Sequence, residues 1–193
     1  MRIKYRIGDL GKVATGNTPS KNNEKFYNSK DINFVKPSDI EEGKISFINE
    51  TENYLSEEAR TVCRIAPKNS VLVTCIGTIG KIGVLEQEAA FNQQINSISP
   101  NIELVKPKYL AYSLLFNKEM ISTKANAAVV PIVNKSQFSD IEIYIHDFNE
   151  QEHIVKVLEK VDEIISGCNK QLNDFDSLIK SRYCKLTSEE VAA

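Results

Sequence analysis

The chain has 193 residues, 41% hydrophobic and 26% charged, a balance that supports one sizeable core and, with only eight glycines and six prolines, excludes a long disordered tract. The formal net charge of −2 speaks against a nucleic-acid partner held by bulk charge, because phosphate neutralisation by Lys and Arg supplies much of such affinity. The distribution softens that objection, since residues 1–145 hold 18 Lys+Arg against 16 Asp+Glu and residues 146–193 hold 6 against 10. In chain order, short apolar runs bounded by Gly, Pro, Asn and Ser predict strands at Ile32–Val35, Lys44–Ile48, Ser70–Thr74, Ile82–Leu85, Ser97–Pro100 and Ile141–Ile145. Ser56–Thr61 and Lys108–Met120 read as helices, the second after the breaker Pro107 with Leu110, Leu114 and Leu115 on one face.

From Glu150 the texture changes. Ile154, Leu158, Val161, Ile165, Cys168, Leu172, Phe175 and Ile179 recur at alternating spacings of four and three, an apolar heptad seam that no proline interrupts. At ~1.5 Å per residue such a helix reaches roughly 40–45 Å, more than a domain of this size needs for its own core. It either packs back on the domain or pairs with another helix. The expected fold class is therefore α+β: a strand-rich mixed domain over residues 1–147, a long C-terminal coiled-coil helix over 148–186, and a disordered tail over 187–193.

Candidate chemistry is thin. Cys63, Cys75, Cys168 and Cys184 form no Cys-x-x-Cys pair, which argues against a zinc knuckle or a secreted disulfide framework and for a reduced, cytoplasmic protein. The N-terminal MRIKYRIGDLG lacks the apolar run of a signal peptide, and no stretch approaches a membrane span. In Thr74-Cys-Ile-Gly77-Thr78-Ile-Gly80-Lys81-Ile82-Gly83 the glycine spacing and the residue after Lys81 are wrong for a phosphate loop, and a strand, tight turn and second strand that display Thr78 and Lys81 fit better. His146 and His153 lack the spacing of a helical zinc pair, so no metal site is expected. With no nucleophile elbow, no cofactor fingerprint and no Asn-Pro-Pro-aromatic site, no catalytic residue is expected.

Polar loops are plentiful. Asn17, Thr18, Ser20, Lys21 and Asn22 form one cluster, and Asn92, Gln93 and Gln94 form another; Asn and Gln can pair with adenine and Lys with guanine. Lys36, Ser38 and Ser20 are suited to phosphates, and Thr78 and Lys81 join the DNA-binding candidates. The same residue types also serve plain turns.

Read in order, these landmarks resemble the specificity subunit of type I restriction-modification systems. Ile7-Gly-Asp-Leu-Gly-Lys-Val-Ala-Thr-Gly16-Asn-Thr-Pro19-Ser looks like the opening of a target-recognition domain, and Asp31-Ile-Asn-Phe-Val-Lys-Pro-Ser-Asp39-Ile is similar to the following block. Val71 to Gly83 resembles the central glycine block, Phe91-Asn92-Gln93-Gln94-Ile95 the asparagine-glutamine block, and Asn134 to Ile143 followed by Glu150-Gln151-Glu-His-Ile154 the start of the spacer helix. His146 departs from the family, which usually has proline there.

The resemblance implies a non-catalytic, sequence-specific subunit that binds double-stranded DNA. Separate modification subunits would methylate adenine with S-adenosylmethionine, and a restriction subunit would cut with ATP and Mg, so no cofactor is expected in this chain. A full subunit of this family has two recognition domains and two spacer helices, whereas one of each is found here. The resemblance therefore implies a half-length form that homodimerises through its heptad seam, antiparallel, on a palindromic bipartite target. A fragment or recombination cassette of a two-domain subunit, and a cryptic nuclease or methyltransferase, remain as alternatives.

Overall fold

The computed structural model describes residues 2–125 and 130–191, with side chains as far as Tyr183. Residues 192–193 of the expected tail and the Cys184 side chain lie outside the described residues. The chain divides into two compact units, Met1–Glu152 and His153–Ala193.

The first unit is built on three sheets. In chain order the strands are β1 (Arg2–Arg6), β2 (Gly11–Thr15), β3 (Ile32–Val35), β4 (Ile45–Ile48), β5 (Tyr54–Leu55), β6 (Ile65–Ala66), β7 (Val71–Thr74), β8 (Ile82–Leu85), β9 (Ala89–Phe91), β10 (Ile95–Pro100) and β11 (Glu142–His146). One sheet has the order β2-β10-β7-β8-β4, a second the order β5-β3-β9-β6, and β1 pairs with β11. The pairs β3/β9 and β4/β8 are parallel, and the remaining ladders are antiparallel.

The five-stranded and four-stranded sheets share a core. Val35, Ala66 and Phe91 from one meet Ile48, Leu72, Leu85 and Ile95 from the other. The opposite face of the four-stranded sheet is also covered, because Phe34, Ile32, Leu55 and Ala90 pack with Ala59 and Phe26. Strands buried on both faces read as continuous apolar runs, which is why β3, β7 and β8 are visible in the sequence without strict alternation. Helix α1 (Pro107–Phe116) packs on β8, β7 and β4, with Pro107 at its first turn, where a missing N–H costs nothing.

All six predicted strands are present, with ends shifted by no more than two residues. Two helices needed correction. Ser56–Thr61 is a 3-10 turn over Glu57–Thr61 rather than an α-helix. Lys108–Met120 is interrupted at Asn117, whose side chain donates to the Ser113 carbonyl at 2.7 Å, and the chain restarts as α2 (Lys118–Thr123). A short α3 (Lys135–Ser139) begins with a reciprocal cap, in which Asn134 accepts from the Gln137 N–H at 2.9 Å and Gln137 accepts from the Asn134 N–H at 3.0 Å.

The last helix, α4 (Phe148–Val191), has 44 residues and runs beyond residue 186, where the sequence pattern placed its end. At ~1.5 Å per residue it spans roughly 66 Å. Along its seam Val161, Ile165, Cys168, Leu172, Phe175 and Ile179 are exposed, the last three to 62%, 62% and 65%. Among the described residues no helix is long and apolar enough to cross a membrane.

Candidate nucleic-acid interface

Two polar loops that lie 75 residues apart in sequence meet in space. Gly16 makes this possible: its N–H donates to the Ile95 carbonyl at 3.0 Å, and the next N–H, of Asn17, donates to the Phe91 carbonyl at 3.0 Å. A Cβ at position 16 would stand 2.2 Å from the carbonyl oxygens of both Asn92 and Phe91, so only glycine permits this approach. Thr18 then donates its hydroxyl to the Gln93 side-chain oxygen at 2.6 Å.

The amides of this cluster divide into supports and exposed tips. Asn17 donates to the Val62 carbonyl at 2.8 Å and accepts from the Arg64 N–H at 2.9 Å. Asn92 is buried and Gln94 half-buried; Asn92 donates to the Gln94 side chain at 3.1 Å and accepts the Gln94 N–H at 3.0 Å. Asn17 and Asn92 hold backbone in place, and the Gln94 side chain braces Asn92. Thr18, Ser20, Lys21, Asn22 and Gln93 are exposed, and Tyr27 pins the first loop by donating to the Pro19 carbonyl at 2.8 Å. Partial burial raises the Tyr27 phenol above its ordinary pKa, which keeps it a donor further into alkaline pH.

A second group adjoins the first. The Asn92 N–H donates to the Val35 carbonyl at 3.1 Å and the Cys75 N–H to the Gln94 carbonyl at 2.8 Å, so the turns after β3 and β7 border the same loop. Lys36, a phosphate candidate, donates its ammonium to Asn53 at 2.6 Å and lies 5.7 Å from the Phe34 ring centre. Lys81 was expected on the tip of the turn, but it is half-buried and donates to the Pro37 carbonyl at 3.1 Å, which joins the two turns. Ser38 and Thr78 are exposed.

The glycine segment is the tight connection that the sequence suggested. Gly77 and Gly80 have φ of +74° and +86°, values that L side chains rarely adopt. The Thr74 hydroxyl donates to the Thr78 carbonyl at 2.6 Å and accepts the Lys81 N–H at 3.0 Å, which closes the turn on itself. Cys75, beneath it, is 2% exposed, and burial pushes its thiol up to about 12 despite the Asn96 amide that donates to the sulfur. Such a thiol is inert as a nucleophile at neutral pH. His146 is likewise engaged, with its Nδ1 2.6 Å from the Tyr109 hydroxyl.

The family model described as the type I restriction modification DNA specificity domain matches residues 3–174. The chain belongs to this family. It is 31% identical over 189 residues to the HindI specificity subunit of Haemophilus influenzae, covering 91% of this chain and 39% of that one. It is 29% identical over 172 residues to the MjaIX specificity subunit of Methanocaldococcus jannaschii, covering 86% and 39%. The chain thus spans about two-fifths of the length of these relatives. The fold agrees with that of a chain from a structure of type I R-M assembly and conformational transition, at TM-score 0.74, 14% identity and coverage of 93% of this chain and 43% of that one. It also agrees with the HsdS subunit of Thermoanaerobacter tengcongensis, at TM-score 0.65, 13% identity and coverage of 86% and 38%.

Sequence reasoning missed Arg64. Its guanidinium donates to the Thr15 carbonyl and its N–H is fixed by Asn17, so an exposed cation stands beside the first loop. A lone arginine in Val62-Cys-Arg-Ile carries no motif; its importance lies in a contact 47 residues away.

Proposed function

We propose that this family member is a non-catalytic, sequence-specific DNA-recognition subunit of a type I restriction-modification complex, acting in the cytoplasm. The observation that carries this reading is the assembled loop cluster, in which Thr18 and Gln93 are locked together at the surface above the buried Asn92 and the half-buried Asn17 and Gln94. Hydroxyl and amide groups held on a rigid base suit the donor and acceptor code of the major groove. Methylation with S-adenosylmethionine and cleavage with ATP and Mg are assigned to modification and restriction partner subunits.

The exposed apolar seam of α4 supports a second part of the proposal: two copies pair through Ile154, Leu158, Val161, Ile165, Cys168, Leu172, Phe175 and Ile179 and so supply the two recognition units of a longer subunit. Apolar rows of this kind need a partner helix to leave water. The exchange of one recognition unit within a longer two-domain subunit would use the same loops.

Mapping methylated adenines across the genome with and without this chain tests the recognition role. An unchanged pattern in a cell with active modification partners overturns it, as does S-adenosylmethionine binding by the isolated chain. A strict monomer at micromolar concentration overturns the pairing.

A further inference from the structure

Beside the loop cluster lies a cleft of about 520 Å³ between the open edges of the two large sheets. Its floor is apolar, with Ala14 from β2, Ile65 from β6 and Pro67 beyond it, and its rim carries Lys12, Arg64 and Lys135. The β2/β10 register sets Lys12 beside Ser99 and Ala14 beside Ser97, which turns Lys12 and Ala14 to the same face. No carboxylate lines this cleft among the described residues, and none of the described ion pairs engages its three cations. Lys135 also borders a neighbouring hollow that contains Asp9 and Asp140, where Asp140 faces Arg6 at 3.7 Å.

Resting on the DNA-recognition reading, we infer that this cleft seats the sugar-phosphate backbone of the DNA strand beside the read bases, with Lys12, Arg64 and Lys135 as its phosphate contacts. Four arguments support this. The cleft is continuous with the reading loops through Arg64, whose N–H bonds Asn17 and whose guanidinium bonds the Thr15 carbonyl while carrying further N–H donors on the same planar group. Any duplex whose base edges reach the loops must carry phosphates along the flanks of the groove, and phosphate contacts are what fix register there. Cations around an apolar floor match the alternation of charged phosphate and uncharged deoxyribose. The unit also has little net charge, so cations grouped around a cleft whose own lining holds no carboxylate are where phosphate attraction is concentrated.

The test uses the full chain assembled with its modification subunit and a fluorescein-labelled random-sequence duplex, titrated between about 50 and 200 mM salt. Lys12→Gln/Lys135→Gln is expected to weaken binding to all sequences alike and to reduce the slope of log affinity against log salt by about 1.8, at about 0.9 for each lost phosphate contact. Lys44→Gln/Lys68→Gln removes the same charge elsewhere, Lys44 preceding β4 at the opposite edge of the five-stranded sheet and Lys68 lining a separate hollow with Phe47 and Glu86, and should change the slope by much less. Equal slopes for the two double variants, or a slope unchanged from wild type, overturn the inference while leaving the recognition role intact. Loss of assembly with the modification subunit, with DNA binding of the free chain unchanged, would overturn it by assigning the cleft to a protein partner. A wild-type complex that binds no duplex at all refutes the recognition reading itself.

Discussion

The side-chain oxygen of Gln151 accepts the Lys106 N–H at 2.9 Å, across 45 residues, while its amide nitrogen donates to the carbonyls of Leu104 at 3.1 Å and His146 at 2.8 Å. Gln151 is completely buried, and all three bonds engage backbone groups. It therefore fixes the end of β11, the loop before α1 and the first turn of α4 as one knot. The alternative stabilisation of this junction, by proline at position 146, is absent; His146 closes it through Tyr109.

Gln151→Ala should cost about 3 kcal/mol of unfolding free energy, because buried backbone groups left without partners cost roughly 1–3 kcal/mol each and some will find water. Urea denaturation measures this. A loss below about 1 kcal/mol would show that the knot is dispensable.

Gly16→Ala places a methyl group against two carbonyl oxygens that cannot move without disturbing β9 and the Asn92 loop. Overpacking of this kind costs roughly 1–3 kcal/mol. The thermal midpoint should fall, and DNA binding should fall with it. Binding that persists undiminished would detach the Thr18–Gln93 contact from recognition.

Gln93→Ala and Thr18→Ala should behave differently. Both positions are exposed, so stability should stay within about 0.5 kcal/mol of wild type. Discrimination between targets should weaken by roughly 1–3 kcal/mol at the base pair concerned. Comparison of methylated-site sequence logos reads this directly, and identical logos would remove both residues from the reading surface.

Cys75 should resist alkylation in the native protein at about pH 8, while the exposed Cys168 reacts; peptide mapping after a short iodoacetamide pulse distinguishes them. Because burial raises the Cys75 pKa to about 12, its contribution to stability is full below the unfolded thiol value near ~8.5 and is lost as pH rises toward the folded one. Modification of Cys75 at the rate of Cys168 would mean that β7 opens readily.

At acid pH the carboxyls held below their ordinary range include Asp31, Glu142 and Asp147, the last through the Glu150 N–H. The Ser29 hydroxyl, at 2.5 Å, and the Glu57 N–H, at 2.9 Å, hold Asp31 below its ordinary range, and Lys4, at 2.6 Å, does the same for Glu142. Folded-state values below the unfolded ones give stability that is present above about pH 4 and lost as pH falls through the folded values. Asp31→Asn should flatten that acid limb. An unaltered pH profile between about pH 2 and 5 would assign the limb to other carboxylates.

Much of the fold was legible because buried strands write themselves as Val and Ile runs, as in β7 and β8. The strands that escaped notice had other signatures. β1 is Arg-Ile-Lys-Tyr-Arg, an exposed two-stranded edge element, and β9 is built from Ala89, Ala90 and Phe91, of which alanine has little strand preference. The loops of the candidate site were visible as polar turn residues. Which polar side chains are supports and which are tips was not, because for several of them that division depends on partners 17 to 75 residues distant: Val62 for Asn17, Asn53 for Lys36 and Gln93 for Thr18. Lys81 illustrates the same limit: its turn was recognised, but the carbonyl that draws it inward belongs to Pro37.

The supports at Asn17, Asn92 and Gln94 take their partners from backbone or from one another, and none depends on the identity of Lys21, Asn22 or Ser38. The displayed positions can therefore be randomised without refolding the platform. A library varied at Lys21, Asn22, Ser38 and Thr78 should be rich in folded proteins with altered targets. If the loops read DNA as proposed, single substitutions there should change the sequence read while leaving the fold intact.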